Sequence, residues 1–275
     1  MKFKFIQIRI TILLFLMVVA NIAFSQQAEL ELTTEKVENG DVKVYVKNNS
    51  FAPYTITLYA KLKGFIADKD LPLVVPIQGK STDLLLTISM KPGLEKYSYS
   101  FSTSSNMGDI NAKHNDKYTY ELPFGKGKSY VVSQGYYGNV SHDKIKALDF
   151  TMDEGTMVYA MRDGVVVDVK EDSNIGCPSN ECLKKANFIT ILHDDNSFSE
   201  YAHLKKNGAI VNVGDKVKRG ELIGYSGKTG WATGPHLHIE VYIWNSKEKK
   251  MSVDTFFNIN GKRTLIKKGD MPKRN

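Results

Sequence analysis

The chain has 275 residues, which is long enough for two domains. Lysine and arginine (37) outnumber aspartate and glutamate (30), and the formal net charge of +7 falls to +4 when the three basic residues among the first ten are removed. So modest a charge suits either an anionic cell envelope or an ordinary solvated surface. No stretch combines a basic stripe with regularly spaced aromatic residues, so nucleic acid is not predicted as a partner.

Residues 1–25 are predicted to be a secretory signal. They begin with a basic segment, continue with an apolar stretch over residues 10–20, and offer Ala23 and Ser25 as small residues for cleavage. An uncleaved anchor is the alternative, but the apolar core is short for a span, which needs roughly 20 residues. We therefore expect cleavage, no stable membrane insertion afterwards, and export to the periplasm or the extracellular cell envelope.

Residues 26–117 are predicted to form a small accessory β-sandwich, immunoglobulin-like in topology. Valines alternate with polar residues between positions 42 and 46, which is the period-two pattern of a half-buried strand. The short apolar run at residues 84–88 is typical of a buried strand. Residues 111–117 are polar and are predicted to be the linker, with His114 exposed to solvent.

Residues 118–275 are predicted to form a second, antiparallel β domain, so that the fold class is all-β with no amphipathic helix. Asp163-Gly164 stands between two β-like runs and predicts a hairpin. Residues 187–193 and 198–204 predict the next pair of strands.

The two cysteines, Cys177 and Cys182, lie close together in a polar stretch. In an oxidising compartment such a pair predicts a disulfide that closes a small loop. A structural zinc site would need two more soft ligands nearby, and two free thiols are the other alternative. Closing so short a loop adds little stability, so its expected effect is to stiffen a loop at the rim of the functional site.

Four of the six histidines fall in three short runs that also contain an aspartate. The five candidate residues are His142, Asp149, His203, His236 and His238. Imidazole and carboxylate are the ligands of catalytic zinc, which takes three protein ligands and leaves the fourth position to water. The pattern therefore predicts a metal-dependent hydrolase.

Alternation on a strand puts His236 and His238 on one face, with Cα atoms roughly 6.6 Å apart. Both could bind one ion, or one could bind while the other meets a water, and the spacing does not choose between these. Each residue alone has an ordinary explanation, such as a packed strand histidine for His203. It is less plausible that all three runs carry these residues by coincidence than that they form one site. His193, near a strand end, is expected to be exposed or to cap the strand.

The three runs, in this order, resemble those of the lysostaphin/LytM-type zinc endopeptidases, the M23 metallopeptidases. The similarity covers about the C-terminal half of the chain and extends to neighbouring segments. These segments are Asp149-Phe150, residues 154–160 (EGTMVYA), 162–166 (RDGVV), 213–224 (VGDKVKRGELIG) and 227–230 (GKTG). In the commoner family pattern three residues separate the first histidine from the aspartate. Here six intervene, which resembles a variant in which Ala-Leu-Asp-Phe follows Ser-His.

The resemblance implies that His142, Asp149 and His238 hold Zn²⁺, while His203 and His236 face the water and the scissile carbonyl. It implies cleavage of peptide cross-links in bacterial peptidoglycan, with the peptide stems as the partner. Glu240 or Tyr201 could fix the tautomers of the ligand histidines.

The predicted function is that of an exported zinc endopeptidase whose N-terminal domain contacts the wall or a regulator. The alternative is a catalytically silent relative that binds the wall or activates other hydrolases. Silent relatives typically lose ligands, whereas this chain keeps all five candidates.

Overall fold

The computed structural model describes residues 29–94, 96–244 and 250–275. The predicted signal at residues 1–25 lies outside the described residues. Within those ranges the regular structure is strand, apart from one short 3₁₀ helix at Asn180–Lys185. No helix in the described part of the chain is long and apolar enough to span a bilayer. The predicted all-β fold class is confirmed.

The N-terminal part consists of two antiparallel sheets that share one core. Their strand orders are β1-β2-β6-β4 and β5-β3-β7. The strands are β1 (Leu30–Lys36), β2 (Val42–Asn48), β3 (Tyr54–Lys63), β4 (Phe65–Ala67), β5 (Leu73–Ile77), β6 (Thr82–Met90) and β7 (Ser98–Met107). The alternating valines of β2 and the apolar run of β6 pack against Ile56 and Leu58 of β3, as period-two patterning requires. The immunoglobulin-like topology and the domain boundaries stay predictions.

The C-terminal part is built on an eight-stranded antiparallel sheet with the order β16-β11-β13-β14-β19-β9-β8, and β20 pairs with β19. A second sheet has the order β10-β17-β15. The strands are β8 (Val132–Gln134), β9 (Ala147–Thr151), β10 (Met157–Tyr159), β11 (Gly164–Lys170), β12 (Gly176–Cys177), β13 (Phe188–Leu192), β14 (Phe198–Ala202), β15 (Leu204–Ala209), β16 (Lys216–Val217), β17 (Leu222–Ser226), β18 (Gly230–Trp231), β19 (His236–Trp244), β20 (Lys250–Ser252), β21 (Phe256–Ile259) and β22 (Lys262–Leu265).

The larger core lies between these two sheets. Leu237, Ile239 and Val241 of β19 point into it and are almost fully buried. The residues between them in sequence therefore project from the opposite face of the eight-stranded sheet. The candidate polar residues of β9 and β19 lie on that opposite face.

The predicted hairpin at Asp163-Gly164 is wrong, whereas the predicted pair β13/β14 is confirmed. Strand β10 pairs with β17 and β11 pairs with β13 and β16, so the chain passes from one sheet to the other between them. Gly164 allows β11 to pack closely against β13, and it does not form a tight turn. A Cβ there would lie 2.4 Å from the Leu192 carbonyl oxygen and 2.5 Å from the Ile191 side chain.

Two histidines, His114 expected to be exposed and His193 expected to be exposed or to cap a strand, have buried side chains. The His114 side chain is 3 % exposed because its Nε2 lies 2.9 Å from the Tyr120 hydroxyl, which fixes the linker against the C-terminal domain. His193 is 2 % exposed. Its Nδ1 donates to the Asp163 carbonyl at 2.7 Å, and its Nε2 lies 3.0 Å from the Ser199 hydroxyl, so the ring is satisfied as a neutral group.

A third apolar cluster joins the N-terminal sandwich to the eight-stranded sheet. Ala52, with Phe51, Tyr54 and Met107 around it, packs on Phe198, Tyr242 and Trp244. Tyr242 and Trp244 follow Glu240 at every second position of β19 and so lie on the polar face. The sandwich is thus docked on the same sheet face that carries the candidate site.

Burial lowers the pKa of His193 to about 4, against an ordinary value near 6.5. Between these values the unfolded chain binds more protons than the folded one, so stability is fully present above pH 6.5 and falls as the pH drops towards 4. The shift corresponds to about 3 kcal/mol. His193→Gln, which keeps a donor for Asp163, should remove most of that pH dependence from metal-free protein in urea unfolding. If the free energy of unfolding falls equally with pH in both proteins, the prediction is wrong.

Candidate metal centre

Strand pairing explains why two ligand candidates that are far apart in sequence meet. Strands β9 and β19 are antiparallel neighbours, and Asp149 is directly opposite His238 in their register. Leu148 and Phe150 point into the core, so Asp149 points to the polar face. His236 lies on that face too, opposite Thr151.

Three side-chain atoms converge at this point. His142 Nε2 lies 3.1 Å from Asp149 Oδ1 and 3.1 Å from His238 Nδ1, and the last two atoms are 3.0 Å apart. The side chains are 0 %, 9 % and 12 % exposed, in the order His142, Asp149, His238.

This donor set fits a metal ion. The Nδ1–H of His142 donates to the Gly135 carbonyl at 2.9 Å, so its Nε2 presents a lone pair to the other two atoms. A buried group of lone pairs and a carboxylate is costly to bury unpaired, and a bound cation would stabilise it. The triangle edges are close to the ~3.3 Å that separates ligands of tetrahedral zinc with bonds of about 2.0–2.1 Å. Among the residues that the structure describes, three protein atoms converge at this point, which is the ligand number of catalytic zinc sites.

The six residues between His142 and Asp149 are accommodated by a loop with its own backbone hydrogen bonds. The amide of Ile145 donates to the His142 carbonyl at 3.0 Å, and the amide of Tyr137 donates to the Ile145 carbonyl at 3.0 Å. These bonds return the chain to β9 with His142 against Asp149. The longer spacing therefore delivers both ligands to one position.

Gln134 is a candidate functional residue that the sequence did not indicate. Its Nε2 donates to Asp149 Oδ2 at 3.0 Å and to the Ser141 hydroxyl at 2.7 Å. This leaves Asp149 Oδ1 for the metal. The β8/β9 register, with an irregularity after Val132, places Gln134 opposite Asp149. No motif in the sequence around Gln134 predicts this pairing.

The hydrogen bonds also control the charge of Asp149. Burial alone raises the pKa of this carboxyl, but the adjacent imidazoles of His142 and His238, which donate to it and carry positive charge when protonated, outweigh burial and hold the pKa well below its usual range. Asp149 is therefore ionised at neutral pH.

His203 and His236 stand beside the triangle. The two rings are 4.4 Å apart between centroids, and the His203 ring is 5.8 Å from that of His238. His203 Nδ1 donates to the Thr229 carbonyl at 2.6 Å and His236 Nδ1 donates to the Gly234 carbonyl at 2.9 Å. Each ring therefore keeps Nε2 free as an acceptor, and His236 Nε2 lies 3.9 Å from Asp149 Oδ1. Burial and the neighbouring imidazoles lower the pKa of His203 to about 3, so it is neutral at pH 7.

The triangle opens into a continuous groove. Cavities of 380 and 430 Å³ meet at it, and Ser141 and Trp231 line both. Asp149 and His236 line the first cavity, whereas His203 and His238 line the second. The candidate ligands Asp149 and His238 thus line neighbouring halves of the groove.

The predicted disulfide lies behind residues that line this groove. Cys177 and Cys182 are joined with Cα atoms 5.9 Å apart. Strand β12 pairs with β18, which places Cys177 beside Trp231. The 3₁₀ helix contributes Leu183 to the second cavity. The disulfide loop thus lies at the rim, as expected.

Of the two residues proposed to fix histidine tautomers, Tyr201 does not take part. It points into the core, where its hydroxyl accepts from the Met161 amide at 2.7 Å. Glu240 lies on the same face as His238, and a carboxylate oxygen of each of Glu200 and Glu240 is within 4.8 Å of a ring nitrogen of His238.

Comparison with known proteins agrees with this geometry. Residues 143–254 match the model of peptidase family M23, a segment that contains Asp149, His203, His236 and His238. These residues form a peptidase family M23 domain. His142 immediately precedes the matched segment of the M23 domain.

Curated relatives of the M23 domain include wall peptidases. Peptidoglycan DD-endopeptidase ShyA of Vibrio cholerae is 41 % identical over 95 residues, which cover 34 % of this chain and 19 % of ShyA. Glycyl-glycine endopeptidase ALE-1 of Staphylococcus capitis is 38 % identical over 94 residues, 34 % of this chain and 23 % of ALE-1. The chain thus spans less than a quarter of the length of either. The solved catalytic domain of lysostaphin from Staphylococcus simulans is 31 % identical, with 46 % of this chain and 87 % of that domain covered and a TM-score of 0.34.

A metal-binding test follows from the triangle. Protein expressed from residue 26 should hold one zinc ion per chain, measured by plasma mass spectrometry after dialysis. His238→Ala should weaken zinc binding by more than about 100-fold, beyond the effect of losing an outer-shell contact. His114→Ala removes an imidazole outside the site and should keep the metal. Equal zinc content in both variants would refute the assignment.

Proposed function

We propose that this protein is an exported zinc endopeptidase that hydrolyses peptide cross-links of bacterial peptidoglycan. The observation that carries the proposal is the ligand triangle at the junction of two half-grooves, with two further imidazoles beside it. The M23 domain and the relatives named as peptidoglycan DD-endopeptidase and glycyl-glycine endopeptidase support wall peptides as the substrate class.

His142, Asp149 and His238 would hold the zinc ion. When bound, zinc lowers the pKa of a water to around 7 and polarises the scissile carbonyl. Gln134 keeps Asp149 oriented through Oδ2, and the Gly135 carbonyl fixes the tautomer of His142.

The proton transfers fall to His203 and His236. Both donate Nδ1–H to a backbone carbonyl, which holds each ring in place and leaves Nε2 as the acceptor. A neutral Nε2 takes a proton from the attacking water and returns it to the leaving amine. A protonated imidazole also stabilises the charge that develops on the carbonyl oxygen.

Export depends on residues 1–25, and the proposed destination is the periplasm or the extracellular envelope. The N-terminal sandwich is proposed to contact the wall or a regulatory partner. Its docking beside the groove, on Tyr242 and Trp244, supports a role near the substrate.

A digestion experiment tests the function. Purified peptidoglycan incubated with the protein should release cleaved stem peptides, identified by mass spectrometry. His203→Ala should lower the rate by about 10²–10⁴-fold, the usual contribution of a general acid or base. His238→Ala should abolish release, and His114→Ala should match the unaltered protein. Zinc-loaded protein that releases no fragments would favour the catalytically silent alternative instead.

A further inference from the structure

Glu240 is a buried acid whose environment is incomplete. It is 3 % exposed, and its Oε2 accepts from Lys250 Nζ at 2.7 Å. Its Oε1 is buried and has no hydrogen-bond partner within residues 29–94, 96–244 and 250–275. A buried carboxylate oxygen without a donor is costly, so such an atom in a folded protein indicates a function for it.

A second acid makes the position more unusual. Glu200 is directly opposite Glu240 in the β14/β19 register, and like charges in that arrangement repel. Lys250 Nζ is 3.6 Å from Glu200 Oε2, so one ammonium group serves two carboxylates. The three side chains leave one net negative charge on the sheet face next to His238.

The imidazole of His238 is the nearby group with which these carboxylates can interact. Its Nδ1 belongs to the ligand triangle, so the neutral ring carries its proton on the other nitrogen. The carboxylates of Glu200 and Glu240 come within 4.8 Å of the ring. Alternation on β19 puts Glu240 on the same side as His238, two positions along the strand.

From this geometry we infer that Glu240 is a positioning residue for the metal ligand His238, with Glu200 and Lys250 setting its charge. The inference rests on the proposed zinc site. A carboxylate behind a ligand histidine fixes the tautomer and ring orientation and makes the ring a stronger ligand. Glu240 is not one of the three converging candidate ligands, although it lines the second cavity, and its proposed effect on the metal is exerted through His238.

Zinc affinity, measured by competition with a chromophoric chelator, tests this role. Glu240→Ala should weaken zinc binding by about 10–100-fold, the usual effect of removing such a partner. Glu240→Gln keeps the shape and an acceptor oxygen, and should fall between Glu240→Ala and the unaltered protein. If Glu240→Ala does not fold, Glu240→Gln decides the question alone, with at least a threefold loss expected.

Asp168→Asn is the matched control. Asp168 pairs with Thr190, which pairs with Glu200, so it lies in the same cross-strand row, two strands beyond Glu200 and outside the group around His238. Its substitution removes one negative charge from the same sheet face and should leave zinc affinity within twofold.

Two results would overturn the inference. One is a zinc affinity for both Glu240 variants within twofold of the unaltered protein. The other is a shift in the melting temperature of the metal-free protein without any change in zinc affinity, which would mark Glu240 as structural only. Unaltered protein that binds no zinc would instead refute the proposed function itself.

Discussion

The antiparallel register between β9 and β19 is the constraint on which the site depends. It sets Asp149 against His238 across the sheet, 89 residues apart in sequence, and Oδ1 lies 3.0 Å from Nδ1. The same pairing buries Leu148, Phe150, Leu237 and Ile239 on the other face. Because side chains alternate strictly, a slip of one residue would turn the ligands into the core and the core residues to the surface. Hydrophobic burial therefore holds the candidate metal ligands Asp149 and His238 in place.

Local pattern predicted one part of the candidate site, because the His-x-His spacing puts His236 and His238 on one strand face. The resemblance to a known family, and not the spacing, added His142 and Asp149, which the structure brings together with His238. Alternation also located β2 and the β13/β14 pair. These features depend on residues close in sequence, where the period of side-chain direction is a sufficient guide.

The errors came from long-range packing. Asp163-Gly164 has the composition of a hairpin, yet Gly164 is needed for the close approach of β13. His193 and His114 stand in polar stretches, but each finds buried hydrogen-bond partners on a distant segment. Gln134 reaches Asp149 only through the β8/β9 register. No periodicity within a single segment encodes which residue of another strand will lie opposite.

His203 shows how the backbone itself contributes to the chemistry. It joins β14 to β15 with φ at +64°, the left-handed region that favours glycine and costs other residues about 1 kcal/mol or more. At this position, where the chain leaves one sheet for the other, the ring lies next to those of His236 and His238. Glycine at this position would relax the backbone and remove the imidazole in one step. The imidazole, however, is buried and bonded to the Thr229 carbonyl, so one substitution at this position would change backbone strain, packing and the proposed proton acceptor at the same time.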